Sequence, residues 1–194
     1  LQYDLDVLIN NAATGQSGSL AEIPLDKIKA DFETNVYNSI ALSQLALQKM
    51  IVKDGGTIIF VSSLAGRVTM PFLGSYAMTK FALSAGAEAM RTELYKISKN
   101  IHVSLIEPGA YHTGFNQKNI AKKYTWMDRK SYFYKIIDKI KKEEERYFKL
   151  TELKSTRSIV RKFVQACEAT KPKLRYTAPW WQALGVRVLR VFGK

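Results

Sequence analysis

The sequence predicts an α/β fold, a doubly wound parallel sheet, on three observations. Short runs rich in β-branched and apolar residues alternate with long segments of helical periodicity, the grammar of parallel strands joined by right-handed crossovers. Each of the first three runs ends in polar or turn residues, Asn10-Asn11, Ser62-Ser63 and Pro108-Gly109, and ligands of open α/β sheets sit beyond the carboxyl ends of strands. The 194 residues, 46% hydrophobic and 24% charged, have the balance and length of one globular domain with a sizeable core.

The elements follow in order. Leu5 to Asn10 reads as a buried parallel strand, and the Gly- and Ser-rich stretch from Gly15 to Ala21 as a loop. From Pro24 to about Met50, Ile28, Phe32, Val36, Ile40 and Leu47 recur at helical spacing, and Asp54-Gly55-Gly56 stops that helix. Thr57 to Val61 is a second strand. A loop through Gly66, Pro71 and Gly74 leads to a second long helix, Ser75 to Lys99, whose alanines and Gly86 allow close packing. Ile101 to Ile106 is a third strand. Residues 115–154 are Lys-, Tyr- and Phe-rich and helical in parts; Thr156 to Ala169 reads as an amphipathic helix and Lys173 to Thr177 as a short strand. Trp180 to Phe192 is amphipathic, with Arg187 and Arg190 at its edge, so 180–194 forms a basic tail. No internal repeat or disordered linker is evident, and 1–194 reads as one domain.

Charge and residue usage narrow the function classes. A net charge of +13 raises nucleic acid as a partner, but the cations lie mostly after Gln117 and no zinc-finger, RNP or helix-turn-helix signature occurs. Solvated helix faces are the favoured reading; nucleic acid is disfavoured and peripheral contact with an acidic membrane stays open. Cys167 is the only cysteine and His102 and His112 the only histidines, which argues against a disulfide or a metal centre and expects metal ligands: none. No apolar run reaches the length of about 20 residues that a membrane span requires. A cytoplasmic setting is expected, with membrane association through the tail as an option. The chain opens on Leu-Gln-Tyr-Asp, neither a methionine nor a signal peptide.

The chemistry is concentrated in Ser63, Tyr76 and Lys80. Ser63 ends the second strand thirteen positions before Tyr76, and Lys80 follows Tyr76 by one helical turn on the same face. Carbonyl reduction develops negative charge on oxygen, which a serine hydroxyl can stabilise and a tyrosine can protonate. A free phenol has a pKa near 10, and a neighbouring ammonium such as that of Lys80 is expected to lower it. Ser62, next to Ser63, reads as a turn hydroxyl. A tyrosine and lysine one turn apart arise by chance on many helices, so that pair alone carries little weight.

The pattern Ser-x12-Tyr-x3-Lys over Ser63, Tyr76 and Lys80 resembles the catalytic signature of the short-chain dehydrogenase/reductase family. Asn10-Asn11-Ala12-Ala13 resembles the family's Asn-Asn-Ala-Gly, Pro108-Gly109 with Thr113 its Pro-Gly-x-x-x-Thr, and Asn35 stands where the family places a catalytic asparagine. The resemblance covers residues 5 to 114 in detail and the rest in outline. It implies catalytic roles for Asn35, Ser63, Tyr76 and Lys80, with Asn35 holding a water that relays the proton. It implies cofactor contacts at Asn10, Ala12, Tyr76, Lys80, Pro108, Gly109 and Thr113. The implied reaction interconverts a carbonyl and an alcohol with NADP or NAD, and the implied partners are a small-molecule substrate and a second copy in a homo-oligomer. Ala13 replaces the family's glycine and would be strained if that position needs positive φ.

The family's glycine-rich loop, which receives the pyrophosphate, has no counterpart here. The resemblance therefore implies a partial Rossmann-like doubly wound parallel sheet lacking its first βαβ portion: an N-terminally truncated chain, its C-terminal two-thirds, in which the NAD or NADP preference is not written. Such a fragment is expected to bind dinucleotide poorly and to present a sticky edge at the Leu5–Ile9 strand. The segment 115–154 would be the substrate lid, and Tyr124, Trp126, Tyr132, Phe133 and Tyr134 suit either a bulky apolar substrate or packing against the core. The alternative function is a catalytically dead paralogue or scaffold with a basic lipid- or nucleic-acid-binding surface.

Overall fold

The computed structural model describes residues 4–124 and 127–193. Four strands, β1 (Val7–Asn10), β2 (Gly56–Val61), β3 (Ile101–Pro108) and β4 (Arg175–Ala178), form one parallel sheet in the order β1-β2-β3-β4. The register places Asn10 opposite Phe60 and Val61 opposite Ile106. The strand ends that carry Asn10, Ser62-Ser63 and Pro108-Gly109 thus share one rim. Among the described residues β1 has no partner on its outer side, and Ile9 is exposed there.

Strand alternation divides the core between two faces. Ile58, Phe60, Val103 and Leu105 point to one side and pack with Ala46 and Met50 of α2 (Asn38–Val52) and Leu83 and Ala87 of α3 (Gly74–Leu94). Ile59, Ile106, Tyr176 and Ala178 point to the other and pack with Ile159 and Ala166 of α6 (Arg157–Glu168). Helices on both faces of a parallel sheet are the doubly wound arrangement.

The helix read from Pro24 to Met50 is interrupted. α1 (Leu25–Phe32) passes into a π-helical turn, Glu33–Tyr37, before α2 begins, and the Asn38 N–H reaches back five residues to the Glu33 carbonyl. Asp31, at the end of α1, and Asn35, within the turn, share the inward face, and both are buried. The second long helix ends at Leu94 rather than Lys99, closed by turn bonds from Ile97 and Ser98 to the Leu94 carbonyl. The segment after Tyr111 holds α4 (Phe115–Lys123) and α5 (Ile137–Thr151), and the tail is α7 (Trp180–Phe192). Thr125, Trp126 and Lys194 lie outside the described residues, and with them the part of the lid reading that rested on Trp126.

Candidate active site

Ser63 sits where β2 gives way to a single 3-10 turn, Leu64–Gly66, and caps it by accepting from the Ala65 N–H at 3.1 Å. Its Oγ also donates to the Pro108 carbonyl at 3.4 Å, joining the ends of β2 and β3. Tyr76 stands in the first turn of α3, with the Ser63 hydroxyl on the side that favours its ionised form. Lys80, one turn on, is almost fully buried; its Nζ donates to the Val61 carbonyl at 2.8 Å and lies 5.5 Å from the centre of the Tyr76 ring. Ser63, Tyr76 and Lys80 therefore converge at the rim.

The expected lowering of the Tyr76 phenol by Lys80 is not what this arrangement produces. Burial pushes the phenol up to about 12, opposed only by the neighbouring Ser63 hydroxyl. Phe115 of α4 packs 5.7 Å from the Tyr76 ring, and the Lys80 ammonium is directed to a backbone carbonyl rather than to the phenol oxygen. Lys80 itself is held down at about 8 by burial. Two ionisable groups displaced this far at a strand rim are a common mark of a functional site.

Asn35 is engaged in a different way from the water-holding role that the resemblance implies. Its Oδ1 accepts from the Thr14 N–H at 2.8 Å, and its Nδ2 donates to the Thr14 carbonyl at 2.8 Å and to Thr79 Oγ1 at 3.0 Å. Both amide hydrogens and the carbonyl oxygen are thus used to clamp the loop after β1 against α3. Asp31, one turn earlier, works alongside it and accepts from Thr14 Oγ1, the Gln16 N–H and Ser75 Oγ at 2.8–3.0 Å. The sequence reading missed Asp31; its signal was the four-residue spacing of two polar side chains, Asp31 and Asn35, on an otherwise apolar helix face.

The cofactor-directed residues take varied positions. Asn10 is buried, donating to Ser43 Oγ at 2.9 Å. Ala12 is exposed at the rim. Ala13 is not among the positive-φ residues, so alanine is unstrained there. Gly109 donates to the Ala178 carbonyl and lies against the Gln182 side chain of α7, where a Cβ would collide. Thr113 is exposed, in a tight turn back to the Tyr111 carbonyl. Ser62 bonds to the Lys80 carbonyl and Ser84 Oγ, a strand-to-helix tie away from the phenol.

Behind the Pro-Gly turn, a charge network braces the rim. Glu107, wholly buried, pairs with Arg175 of β4 and lies 3.5 Å from Arg67, which follows the Ser63 turn; Arg175 also pairs with Glu88 of α3. In front of Tyr76, a cavity of about 40 Å³ is lined by Leu73, Gln16, Phe115, Asn119, Ile120 and Phe148 among others. The apolar walls come from α4 and α5. Of the lid aromatics named from sequence that lie among the described residues, Phe133 packs on Phe72, Tyr124 bonds to Glu144, and Tyr132 and Tyr134 are exposed; none of these four lines this cavity.

The profile of the short chain dehydrogenase family matches residues 2–124. The chain belongs to that family. A probable short-chain type dehydrogenase/reductase of Helicobacter pylori, VdlC, is 42% identical over 104 residues, 54% of this chain and 38% of the relative. An NADPH-dependent 3-dehydrocapnine reductase of Ornithobacterium rhinotracheale is 33% identical over 178 residues, 89% of this chain and 60% of the relative. A solved short chain dehydrogenase/reductase of Burkholderia phymatum, in complex with NAD, superposes with a TM-score of 0.74 at 18% identity over 94% of this chain and 64% of that one, which shows the common fold. The chain thus spans well under two-thirds of the length of the short-chain dehydrogenases it matches first. Its parallel sheet, wound on both faces, is the Rossmann-like architecture of the family.

Proposed function

We propose that this chain carries the catalytic centre of an NAD(P)-dependent oxidoreductase that interconverts a carbonyl and an alcohol on an apolar substrate. The observation that carries the reading is the convergence of Ser63 at the end of β2 with Tyr76 and Lys80 of α3, the Lys80 ammonium 5.5 Å from the centre of the Tyr76 ring, beside an apolar cavity that Tyr76 lines. The NADPH dependence of the Ornithobacterium relative supports it.

Two observations test whether a nicotinamide nucleotide fits. The Lys80 ammonium has three N–H donors and spends one on Val61, leaving two suited to ribose hydroxyls. Asn10, Ala12, Pro108 and Gly109, at the ends of β1 and β3, are proposed together with Thr113 to contact the nucleotide. These residues fit the group. When bound, it supplies or accepts the hydride; the choice between NADP and NAD is left open by the residues here. Tyr76, fully protonated at neutral pH with its phenol near 12, donates the proton to the developing alkoxide in reduction. Ser63 donates a hydrogen bond to the same oxygen. Asn35 is a positioning residue that fixes Thr14 and α3.

The cavity of about 40 Å³ holds little more than a water, so α4 and α5, the lid within 115–154, must swing away for substrate to reach Tyr76. Self-association into a homo-oligomer is proposed through α2 and α3, which expose Leu42, Leu45, Met78 and Phe81. No helix among the described residues is long and apolar enough to cross a membrane; a cytoplasmic setting is proposed, and nucleic acid is not a proposed partner. Turnover of apolar ketones, followed by loss of reduced-nicotinamide absorbance, tests the reading. Tyr76→Phe should lower it by about 10²–10⁴-fold. Undiminished turnover by that variant, or salt-sensitive DNA binding with no reductase activity, would overturn it.

A further inference from the structure

The helix α7 is attached by one edge and bare on the other. Gln182 accepts from the Ala110 N–H and donates to the Thr151 carbonyl, each at 2.8 Å, and Ala183 and Val186 lie beside it on the inward side. At 100° per residue, Trp180, Trp181, Leu184, Val188, Val191 and Phe192 fall on the opposite half. All six are exposed, Trp180 at 75% and Phe192 at 83%. Six large apolar side chains on one unpartnered half-helix form a patch of the kind that marks an interaction site.

Charge selects the occupant. No acidic residue occurs in α7, and Arg187 borders the apolar face next to Trp180 and Val191 on the helix wheel. Across residues 155–193 eight cationic side chains stand against one acid, Glu168. A second copy would set one acid-free cationic face against another. An anionic lipid surface offers the opposite charge together with an apolar layer for the tryptophans and leucines. At thirteen residues the helix is about 20 Å long, too short to cross a bilayer, and a helix of this make-up lies in the interfacial plane.

We propose that the outward face of α7 seats the protein on an anionic lipid surface, with Trp180, Leu184, Val188 and Phe192 entering the headgroup boundary and Arg187 at the phosphates. The test is flotation of the 194-residue chain with vesicles of phosphatidylcholine alone or with about one-third phosphatidylglycerol, an anionic content that raises affinity about fivefold per surface cation. Binding should be at least about tenfold stronger to the anionic vesicles, weaken with salt, and shift tryptophan emission to the blue. The double variant Leu184→Glu with Val188→Glu should lose it. Both residues are exposed, so unchanged circular dichroism shows that the fold is kept. Arg187→Glu should weaken binding about fivefold or more. Absent or charge-indifferent binding, or a double variant that still floats, overturns the proposal. So does a light-scattering mass showing that α7 pairs two copies and leaves vesicles unbound.

Discussion

Replacing Lys80 by methionine should reverse its effect on stability with pH. The ammonium is buried, and its pKa falls from 10.5 to about 8 because burial disfavours the charged form. Below pH 8 both folded and unfolded chains carry the proton, so the folded state bears the whole penalty, about 3 kcal/mol at 1.4 kcal/mol per pH unit. Between pH 8 and 10.5 the folded chain sheds the proton first and stability rises; above 10.5 the penalty is gone. Methionine fills the same space without charge but leaves the Val61 carbonyl without its donor, a loss of about 1–2 kcal/mol. The variant should therefore be about 1–2 kcal/mol more stable than the parent at neutral pH and about 1–2 kcal/mol less stable above pH 10.5. Urea unfolding followed by tryptophan fluorescence at the two pH values measures both differences. If the variant is destabilised by the same amount at both, Lys80 carries no buried-charge penalty and the reasoning fails.

Three further outcomes follow from contacts already described. Gly66→Ala would bring a Cβ to 2.8 Å from the Lys80 carbonyl; the backbone must shift, at about 1–3 kcal/mol, read as a lower urea midpoint. Asn35→Ala strips partners from both Thr14 backbone groups and should lower stability by about 2–3 kcal/mol, with faster amide exchange around Thr14 as the local readout. On the open side of β1, Ile9→Lys should reduce aggregation of the isolated chain with little change in midpoint; equal light scattering from both proteins would show that this edge is not the sticky one.

The strands were legible because their hydrophobic runs are short, β-branched and closed by turn residues. Leu5 to Asn10, Thr57 to Val61 and Ile101 to Ile106 each became a strand within one or two residues of the reading. The π turn was not legible: Glu33–Tyr37 fits an α-helical pattern, and the turn is distinguished by the bond from the Asn38 N–H back to the Glu33 carbonyl, which residue types do not announce. The convergence of Ser63 with Tyr76 and Lys80 was legible through the resemblance of their spacing to a family signature; helical spacing by itself joined only Tyr76 and Lys80. The electrostatics were not legible, because the Tyr76 phenol is governed by how deeply α4 buries it, and a lid's depth depends on contacts remote in sequence. The same limit hid the cavity walls. Phe115 and Phe148 belong to helices whose periodicity is diluted by lysine and glutamate, and the more conspicuous tyrosines of that segment face elsewhere.

The brace formed by Arg67, Glu107, Arg175 and Glu88 makes the tips of β2 and β3 behave as one ledge. A hydroxyl on one tip and a Pro-Gly turn on the other then keep their separation when the covering helices shift. Sequence change in those covering helices can then proceed without disturbing the relation between the two strand tips.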